Sequence, residues 1–319
     1  MQPFGYHRCM RAGSAVISGA VALLVLSCSG PDAPGDRSAP SHGALTASVS
    51  PSQRHTALSS PASRSPGFLL TVPTAHPEAF ARGLDHAVAT LGDQLSAPGE
   101  LRRAGEYQQL AVHRLASASS AFRRAVLART GRETAAEIAR EVRAANSLAQ
   151  LTAPRKHLPQ WRIITPPPMG QLRDYYAEAQ RLTGAHWTYL AAINLVETRM
   201  GRIRGASPAG ALGPMQFLPS TWATYGAGGD IDNPRDAILA AARLLRANGA
   251  PGDMAGALYH YNPSEQYVRA ITEYARTLRR APYIYRGYYH WRVLYHDVHG
   301  LYVLPEGYPR VHPVLLEPR

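Results

Sequence analysis

The sequence predicts a mainly α-helical protein that ends in a short β-hairpin. Apolar residues recur at three- and four-residue steps through most of residues 77–278, as on one face of a helix. Glycine, proline and asparagine interrupt these periods where helices begin or end. The Tyr-rich C-terminal residues instead resemble two short strands. With 319 residues, 45% of them apolar, the chain can bury a sizeable core.

Residues 1–27 have the layout of an export signal. Arg8 and Arg11 precede a short apolar stretch, residues 15–26, which is too short to span a bilayer comfortably. The sequence Val-Leu-Ser-Cys that ends at Cys28 resembles a bacterial lipobox, in which Cys28 would be lipidated and become the first mature residue. An ordinary signal cleaved nearby is the alternative. Removing Cys9 would leave Cys28 unpaired, and a thioether-linked lipid would explain that cysteine.

The chain is basic, with 34 Lys and Arg residues against 22 Asp and Glu and a formal net charge of +12. A basic exported protein is attracted to anionic lipid headgroups and wall polymers. Nucleic acid is not expected as a partner because the chain is exported and carries no recognition motif. Residues 28–75 are rich in Ser, Pro and Ala, which predicts a disordered tether behind the lipidated cysteine.

Residues 76–154 are predicted to form a helical N-terminal domain. A helix near residues 77–92 precedes a helical hairpin. The apolar face of its first arm runs from Tyr107 to Val126, Thr130 and Gly131 break it, and the second arm carries Ile138 to Leu148. Most arginines lie off these faces. A solvated outer surface and a basic binding surface both fit that placement.

Residues 155–282 are predicted to form a second helical domain, which prolines at 154, 159 and 166–168 set apart. Its first helix ends at Gly184, and its second spans residues 186–199. Asn233 followed by Pro234 predicts the start of another helix, with Asn as the N-cap. Residues 254–261 and 264–278 complete the set.

Residues 283–319 form a Tyr-rich extension. Residues 288–295 and 301–304 are predicted to be two strands joined near His299 and Gly300. His290, His296 and His299 raise the question of a metal. No cysteine joins them and their spacing fits no standard zinc site, so we expect no metal here.

One carboxylate, Glu197, ends an apolar helix. Leu190, Ile193 and Glu197 share one helix face, and Gly201 fits the residue just past the helix end. Burial and the negative end of the helix dipole would both raise the pKa of this carboxyl, as a general acid requires. A glutamate in a last helical turn that simply reaches solvent is the alternative.

The residues after Glu197 suit a carbohydrate cleft. Residues 205–213 form a loop of small side chains ending at Gly213, which would let backbone approach a ligand. Gln216 can donate to and accept from an acetamido group. Tyr261 with Asn262, and Tyr267 beyond them, add aromatic and amide groups. Each could also be structural, Tyr261 as a core tyrosine for example.

Several motifs in order resemble those of lytic murein transglycosylases with a goose-type lysozyme fold. The shared residues are Glu-Thr at 197–198, Ser-Pro-Ala-Gly-Ala-Leu-Gly-Pro-Met-Gln-Phe-Leu-Pro-Ser at 207–220, Asp-Asn-Pro at 232–234 and Tyr-Asn-Pro-Ser at 261–264. The variant is similar to the murein transglycosylase B branch and its actinobacterial relatives. The resemblance covers about two-fifths of the chain, residues 158–280. Thr198 stands where many relatives have serine.

The resemblance implies a lysozyme-like fold and roles for individual residues. Glu197 matches the catalytic acid. The positions implied to bind substrate are Ser207, Gly213, Met215, Gln216, Tyr261, Asn262 and Tyr267.

The implied reaction cleaves peptidoglycan glycan strands between N-acetylmuramic acid and N-acetylglucosamine, forms a 1,6-anhydro ring and needs no cofactor.

Ordinary glycosidases use two carboxylates. Asp230, Asp232 and Glu265 are candidates for a second one, although the first two fit a turn and a cap. A muramidase on the same fold and a non-catalytic wall-binding scaffold remain alternatives. The lipid anchor implies the cell envelope, and the resemblance to actinobacterial relatives implies the outer face of the cytoplasmic membrane.

Overall fold

The computed structural model describes Val72 and residues 75–151 and 153–318. Cys28, the predicted signal peptide and nearly all of the predicted tether lie outside these residues. The described chain is mainly α-helical, as predicted, and is consistent with a lysozyme-like fold. Its helices are α1 (Pro77–Gly92), α2 (Pro98–Ser117), α3 (Ser120–Leu127), α4 (Arg132–Ala149), α5 (Met169–Thr183), α6 (Trp187–Thr198), α7 (Pro219–Tyr225), α8 (Pro234–Ala247), α9 (Met254–Tyr261), α10 (Glu265–Arg280) and α11 (Ile284–His290).

Two small antiparallel sheets accompany the helices within the described residues. In the first, β1 (Arg162–Ile163) pairs with β2 (Ile203–Arg204), which joins the proline-rich connector to the segment after α6. The second has the order β3 (Val293–His296), β4 (Gly300–Leu304) and β5 (Val314–Pro318). Register pairs Val293 with Leu304 and Val303 with Val314.

The predicted first arm of the N-terminal hairpin is two helices, α2 and α3. Ser119 interrupts the helix because its Oγ accepts a hydrogen bond from the Phe122 backbone N–H at 3.2 Å and so caps a new helix. The Arg123 side chain then donates to the carbonyls of Leu115 and Ala118, both at 2.9 Å, at the end of α2. Apolar spacing continues across the break because α2 and α3 both pack against α1, so periodicity alone did not reveal the break.

One large core joins the N-terminal helices to those that follow. It includes Leu148 of α4, Ile193 of α6, Ile271 of α10 and Tyr288 of α11. Helix α10 packs against both α4 and α6, and α11 packs against α2. The division into domains at 154/155 and 282/283 stays a prediction.

The C-terminal extension begins with a helix. Residues 288–290, predicted as the start of a strand, belong to α11 because Ile284, Tyr285 and Tyr288 bury one face at helical spacing. The first strand therefore starts at Val293. The β3–β4 hairpin turns near His299 and Gly300 as predicted, and β5 adds a third strand that the sequence did not indicate.

Among the described helices, none is both long enough and apolar enough to cross a membrane.

Candidate active site

Glu197 lies in the last turn of α6, and its side chain is almost completely buried, with 1% of the residue exposed. Leu190 and Ile193 are buried on the same face, as predicted. The opposite side of the helix is buried too, because α5, α8 and α10 pack around it. Because both sides of α6 are buried, the place of Glu197 on one apolar face did not by itself mark it as a site residue.

The chain reverses directly after Glu197 and Thr198. Arg199, Met200 and Gly201 have φ of 53°, 62° and 84°, all in the left-handed region. Gly201 was predicted just past the helix end, but the left-handed conformation begins two residues earlier, at Arg199. Two consecutive non-glycine residues in this region are uncommon and are costly to hold. Tertiary contacts must therefore hold the end of α6.

The segment after the reversal is a loop with two tight turns. Ser207 and Ala211 close the first: the Ala211 N–H donates to Ser207 Oγ at 3.0 Å, and the Ser207 N–H donates to the Ala211 carbonyl at 2.9 Å. Leu212 and Phe217 close the second by exchanging backbone hydrogen bonds at 2.8 Å in both directions. Gly213 and Gln216 have φ of 73° and 51°, so residues 212–217 form a compact backbone unit.

Three side chains fasten this loop to the helices. Thr198 Oγ1 donates to the Pro214 carbonyl at 2.6 Å. Asn194 Nδ2 lies 3.1 Å from Met215 Sδ. Tyr261 Oη donates to the Met215 carbonyl at 2.5 Å. Residues predicted for the site are thereby held beside the end of the helix that carries Glu197.

The turn between α9 and α10 brings two tyrosines together. Tyr261 is the last residue of α9, and Ser264 caps α10 by accepting from the Tyr267 backbone N–H at 3.3 Å. The two rings are parallel, with centroids 6.3 Å apart and planes 5° from each other. Tyr267 Oη donates to Glu197 Oε1 at 2.7 Å. The Tyr-Asn-Pro-Ser turn thus positions Tyr261 to contact the loop and Tyr267 to contact the Glu197 carboxyl group.

Both tyrosines stay protonated at neutral pH. Burial, followed by the charge of Glu197, raises the pKa of Tyr261 and of Tyr267 well above the usual value of 10. The hydroxyl of Tyr267 therefore keeps its proton and donates it in the hydrogen bond to the Glu197 carboxyl group.

The two amides predicted for the site differ in their surroundings. Gln216 Nε2 donates to the Gly213 carbonyl at 2.9 Å, whereas Gln216 Oε1 is buried without a donor in the described chain. That oxygen could accept a hydrogen bond from an N–H or O–H group of a ligand. The Asn262 side chain is buried and makes no hydrogen bond with the described residues, while its backbone carbonyl accepts from the Ser264 N–H at 2.7 Å.

The three other acids proposed as second carboxylates have local partners or lie on the surface. Asp230 Oδ1 accepts from the Asp232 N–H at 2.9 Å, as in a turn. Asp232 is 3.3 Å from the Arg204 guanidinium, with 67% of its side chain exposed. Glu265 is an exposed residue in the first turn of α10.

Thr198 and Asn194 were not predicted as site residues. A polar Asn194 inside the apolar run, three residues before Glu197, was a usable signal because i and i+3 lie on one side of a helix. Nothing in the sequence indicated the left-handed φ of Gln216. In the described chain, no three His, Cys, Asp or Glu side chains lie together as a metal site.

Comparison with known proteins gives a partial match. The chain is 38% identical over 80 residues to a protein of Thiobacillus denitrificans (strain ATCC 25259 / T1) named membrane-bound lytic murein transglycosylase F. The match covers 25% of this chain and 17% of that protein, so the chain spans a small part of its relative's length. No family model and no solved structure matches.

Proposed function

We propose that this protein is a peptidoglycan lytic transglycosylase, which cleaves the β-1,4 bond between N-acetylmuramic acid and N-acetylglucosamine. The observation that carries the proposal is the buried carboxyl group of Glu197, which accepts a hydrogen bond from Tyr267 at 2.7 Å. The sequence motifs around these two residues, and the name of the partly matching protein from Thiobacillus denitrificans, support the same activity.

In the proposed reaction Glu197 acts first as an acid and then as a base. Its proton passes to the glycosidic oxygen, and the bond from that oxygen to C1 of the muramyl residue breaks. The muramyl acetamido group stabilises the positive charge that develops at C1. The Glu197 carboxylate then takes the proton from the muramyl C6 hydroxyl, whose oxygen bonds to C1 and closes the 1,6-anhydro ring. No water is consumed.

The loop residues would bind the sugars. Gln216 Oε1, buried without a donor in the described chain, suits the N–H of an acetamido group. Ser207, Gly213, Met215 and Asn262 are proposed to line the same cleft. Tyr267 would hold one oxygen of Glu197 in place while the other reacts.

The surroundings of Asp230, Asp232 and Glu265, the other acids considered, support a reaction that uses Glu197 alone. Hydrolysing glycosidases place a second carboxylate about 5 to 9.5 Å from the first. Asp230 and Asp232 take part in a turn and an ion pair, and Glu265 is exposed. We therefore favour ring closure over delivery of water.

Mass spectrometry of digested sacculi tests this proposal. We expect wild-type protein to release muropeptides that are one water lighter than hydrolysis products and that borohydride does not reduce. Glu197→Gln should abolish their release, while the matched surface variant Glu265→Gln should leave it unchanged. Products that all reduce with borohydride would instead identify a muramidase. Release of the same products by Glu197→Gln would show that Glu197 is not the acid, and absence of any product from wild type would favour a wall-binding scaffold.

We also propose that the protein is exported and held at the outer face of the cytoplasmic membrane by a lipid on Cys28. The lipobox-like sequence supports the anchor, and the partly matching protein is named as membrane-bound. Cys28→Ser should move the protein from the membrane fraction to the soluble fraction and prevent its labelling with a radioactive fatty acid. Unchanged fractionation of this variant would contradict the anchor.

A further inference from the structure

A cavity of about 210 Å³ lies between α2, α4 and the β3–β4 hairpin. None of the residues predicted to bind or cleave a glycan lines it. Most of its wall is aliphatic, from Val112, Ala145, Leu148, Pro154, Leu294 and Leu301. We refer to it as the Arg199 cavity, after an arginine in its wall.

Arg199 brings a positive charge to this apolar space. Arg199 is partly buried, and its Nη1 donates to the Leu195 carbonyl at 2.7 Å. That is the only hydrogen bond of its side chain to the described residues, and none of their carboxylates forms an ion pair with it. Loss of water around the group lowers its pKa, although an arginine remains protonated in proteins. The guanidinium therefore has unused N–H donors beside the cavity.

The other titratable groups do not cancel this charge. His113, His296 and Tyr274 also line the cavity, and no Asp or Glu of the described residues does. Burial lowers the pKa of His113, although Glu317 acts in the opposite direction. The Glu317 carboxylate is itself paired with Arg114 at 2.7 Å. The cavity thus combines apolar walls with a net positive charge.

A charge that lies against apolar walls loses part of its hydration, and an anion placed against it supplies a favourable partner. We propose that the Arg199 cavity binds a small organic anion, an apolar molecule that ends in a carboxylate. The carboxylate would accept two hydrogen bonds from the guanidinium, the geometry that arginine favours. The aliphatic wall would cover the rest of the molecule. The volume is below the range of about 300 to 1,000 Å³ for drug-sized ligands, so the ligand is small.

Two sources carry this chemistry: a free short-chain carboxylic acid and the C-terminal carboxylate of a peptide with small side chains. Calorimetric titration of the full-length protein separates them. The probes are hexanoate and N-acetyl-alanyl-alanine, each paired with its uncharged amide. We expect at least one acid to bind about tenfold or more tightly than its amide, because a hydrogen bond to a charged group is lost in the amide. Which acid binds identifies the source.

Two variants test the site itself. Arg199→Gln should weaken binding of the acid by about tenfold or more and leave the weak binding of the amide unchanged. Ala145→Leu keeps Arg199 but fills part of the cavity, so it should weaken both ligands. If circular dichroism shows that Arg199→Gln does not fold, Ala145→Leu serves as the test. Equal binding of acid and amide, unchanged binding of the acid to these variants, or no binding of either acid at millimolar concentration would overturn the proposal.

Discussion

Tyr267 Oη donates a hydrogen bond to Glu197 Oε1 at 2.7 Å, although 70 residues separate the two in the chain. The tyrosine lies in the first turn of α10 and the glutamate in the last turn of α6. The contact joins the end of α6 to the start of α10. It makes Tyr267 a positioning residue for the proposed acid.

Tyr267→Phe removes this hydrogen bond and keeps the ring. Glu197 becomes a carboxylate as its proton passes to the glycosidic oxygen, and a hydrogen bond to a charged group contributes about 1.5–3 kcal/mol, so we expect kcat to fall by about 10- to 100-fold. KM should change little, because the Tyr267 hydroxyl is buried and its proton is used in the hydrogen bond to Glu197. Release of anhydromuropeptides from sacculi measures both constants. Tyr259→Phe is the matched control, since Tyr259 is 45% exposed on the neighbouring helix. Wild-type kcat in Tyr267→Phe would rule out the positioning role.

Thr198→Val tests how the loop is held against α6. The buried Thr198 hydroxyl donates to the Pro214 carbonyl at 2.6 Å and accepts from the Gly201 N–H at 3.0 Å. Valine has nearly the same shape but leaves both groups unsatisfied, so we expect the free energy of unfolding to fall by about 2–4 kcal/mol. Chemical denaturation measures this change.

Thr198→Ser provides the control for that variant. Serine keeps the hydroxyl and loses one methyl group, which costs about 1 kcal/mol. Glycan cleavage should therefore survive in Thr198→Ser and decrease in Thr198→Val. Equal stability of the two variants would mean that packing of the methyl group, and not the hydroxyl, holds the loop.

Gly213→Ala and Gly210→Ala separate backbone strain from a steric clash. Both glycines have a left-handed φ, of 73° and 82°. A Cβ on Gly213 would overlap the Ile231 carbonyl oxygen, whereas a Cβ on Gly210 meets no atom within 4 Å. We expect Gly210→Ala to lower the unfolding free energy by about 1 kcal/mol and Gly213→Ala by about 3 kcal/mol or more. Thermal unfolding monitored by circular dichroism compares them. Similar losses would show that the loop moves away from Ile231 easily.

Glu141→Gln should change how stability depends on pH. Burial raises the pKa of Glu141 from 4.5 to about 8, even though Gln108 and Tyr288 each donate to its Oε1 at 2.9 Å. Between these pH values the folded chain holds a proton that the unfolded chain releases. Stability from this group is therefore fully present below about pH 4.5 and is lost as pH rises to about 8, by roughly 1.4 kcal/mol per pH unit.

The variant removes this titration, so its unfolding free energy should fall less steeply with pH than that of the wild type. Urea denaturation at pH 5, 6, 7 and 8 measures the two slopes. Glu133→Gln, which changes an exposed glutamate of the same helix, should keep the wild-type slope. Parallel slopes for wild type and Glu141→Gln would contradict a raised pKa at Glu141.

Helix ends were predictable where local chemistry sets them. Asn233 caps α8 by accepting from the Arg235 N–H at 2.9 Å, and Gly184 ends α5 with a φ of 79°. The predicted bounds of α9, residues 254–261, match the structure. In each case the signal and its effect lie within a few residues of each other. The position of Glu197 in the last turn of its helix was predictable for the same reason.

The break between α2 and α3 and the third strand of the C-terminal sheet were not predictable in this way. Ser119 lies within a continuous apolar pattern that favours one long helix. Only the packing of α1 against both α2 and α3 shows that one helix ends and another begins. Strand β5 carries exposed apolar residues, so its pairing with β4 depends on a distant segment.

The sequence by itself determined that the chain is helical, that one acid ends a buried helix, and that a loop of small residues follows it. Each of these depends on side chains near one another along the chain. Only the tertiary structure decided that Tyr267 contacts Glu197, that Tyr261 contacts the Met215 carbonyl, and that Arg199 lies beside an apolar cavity. These contacts join segments far apart in sequence, and their geometry arises only when the helices pack around a common core.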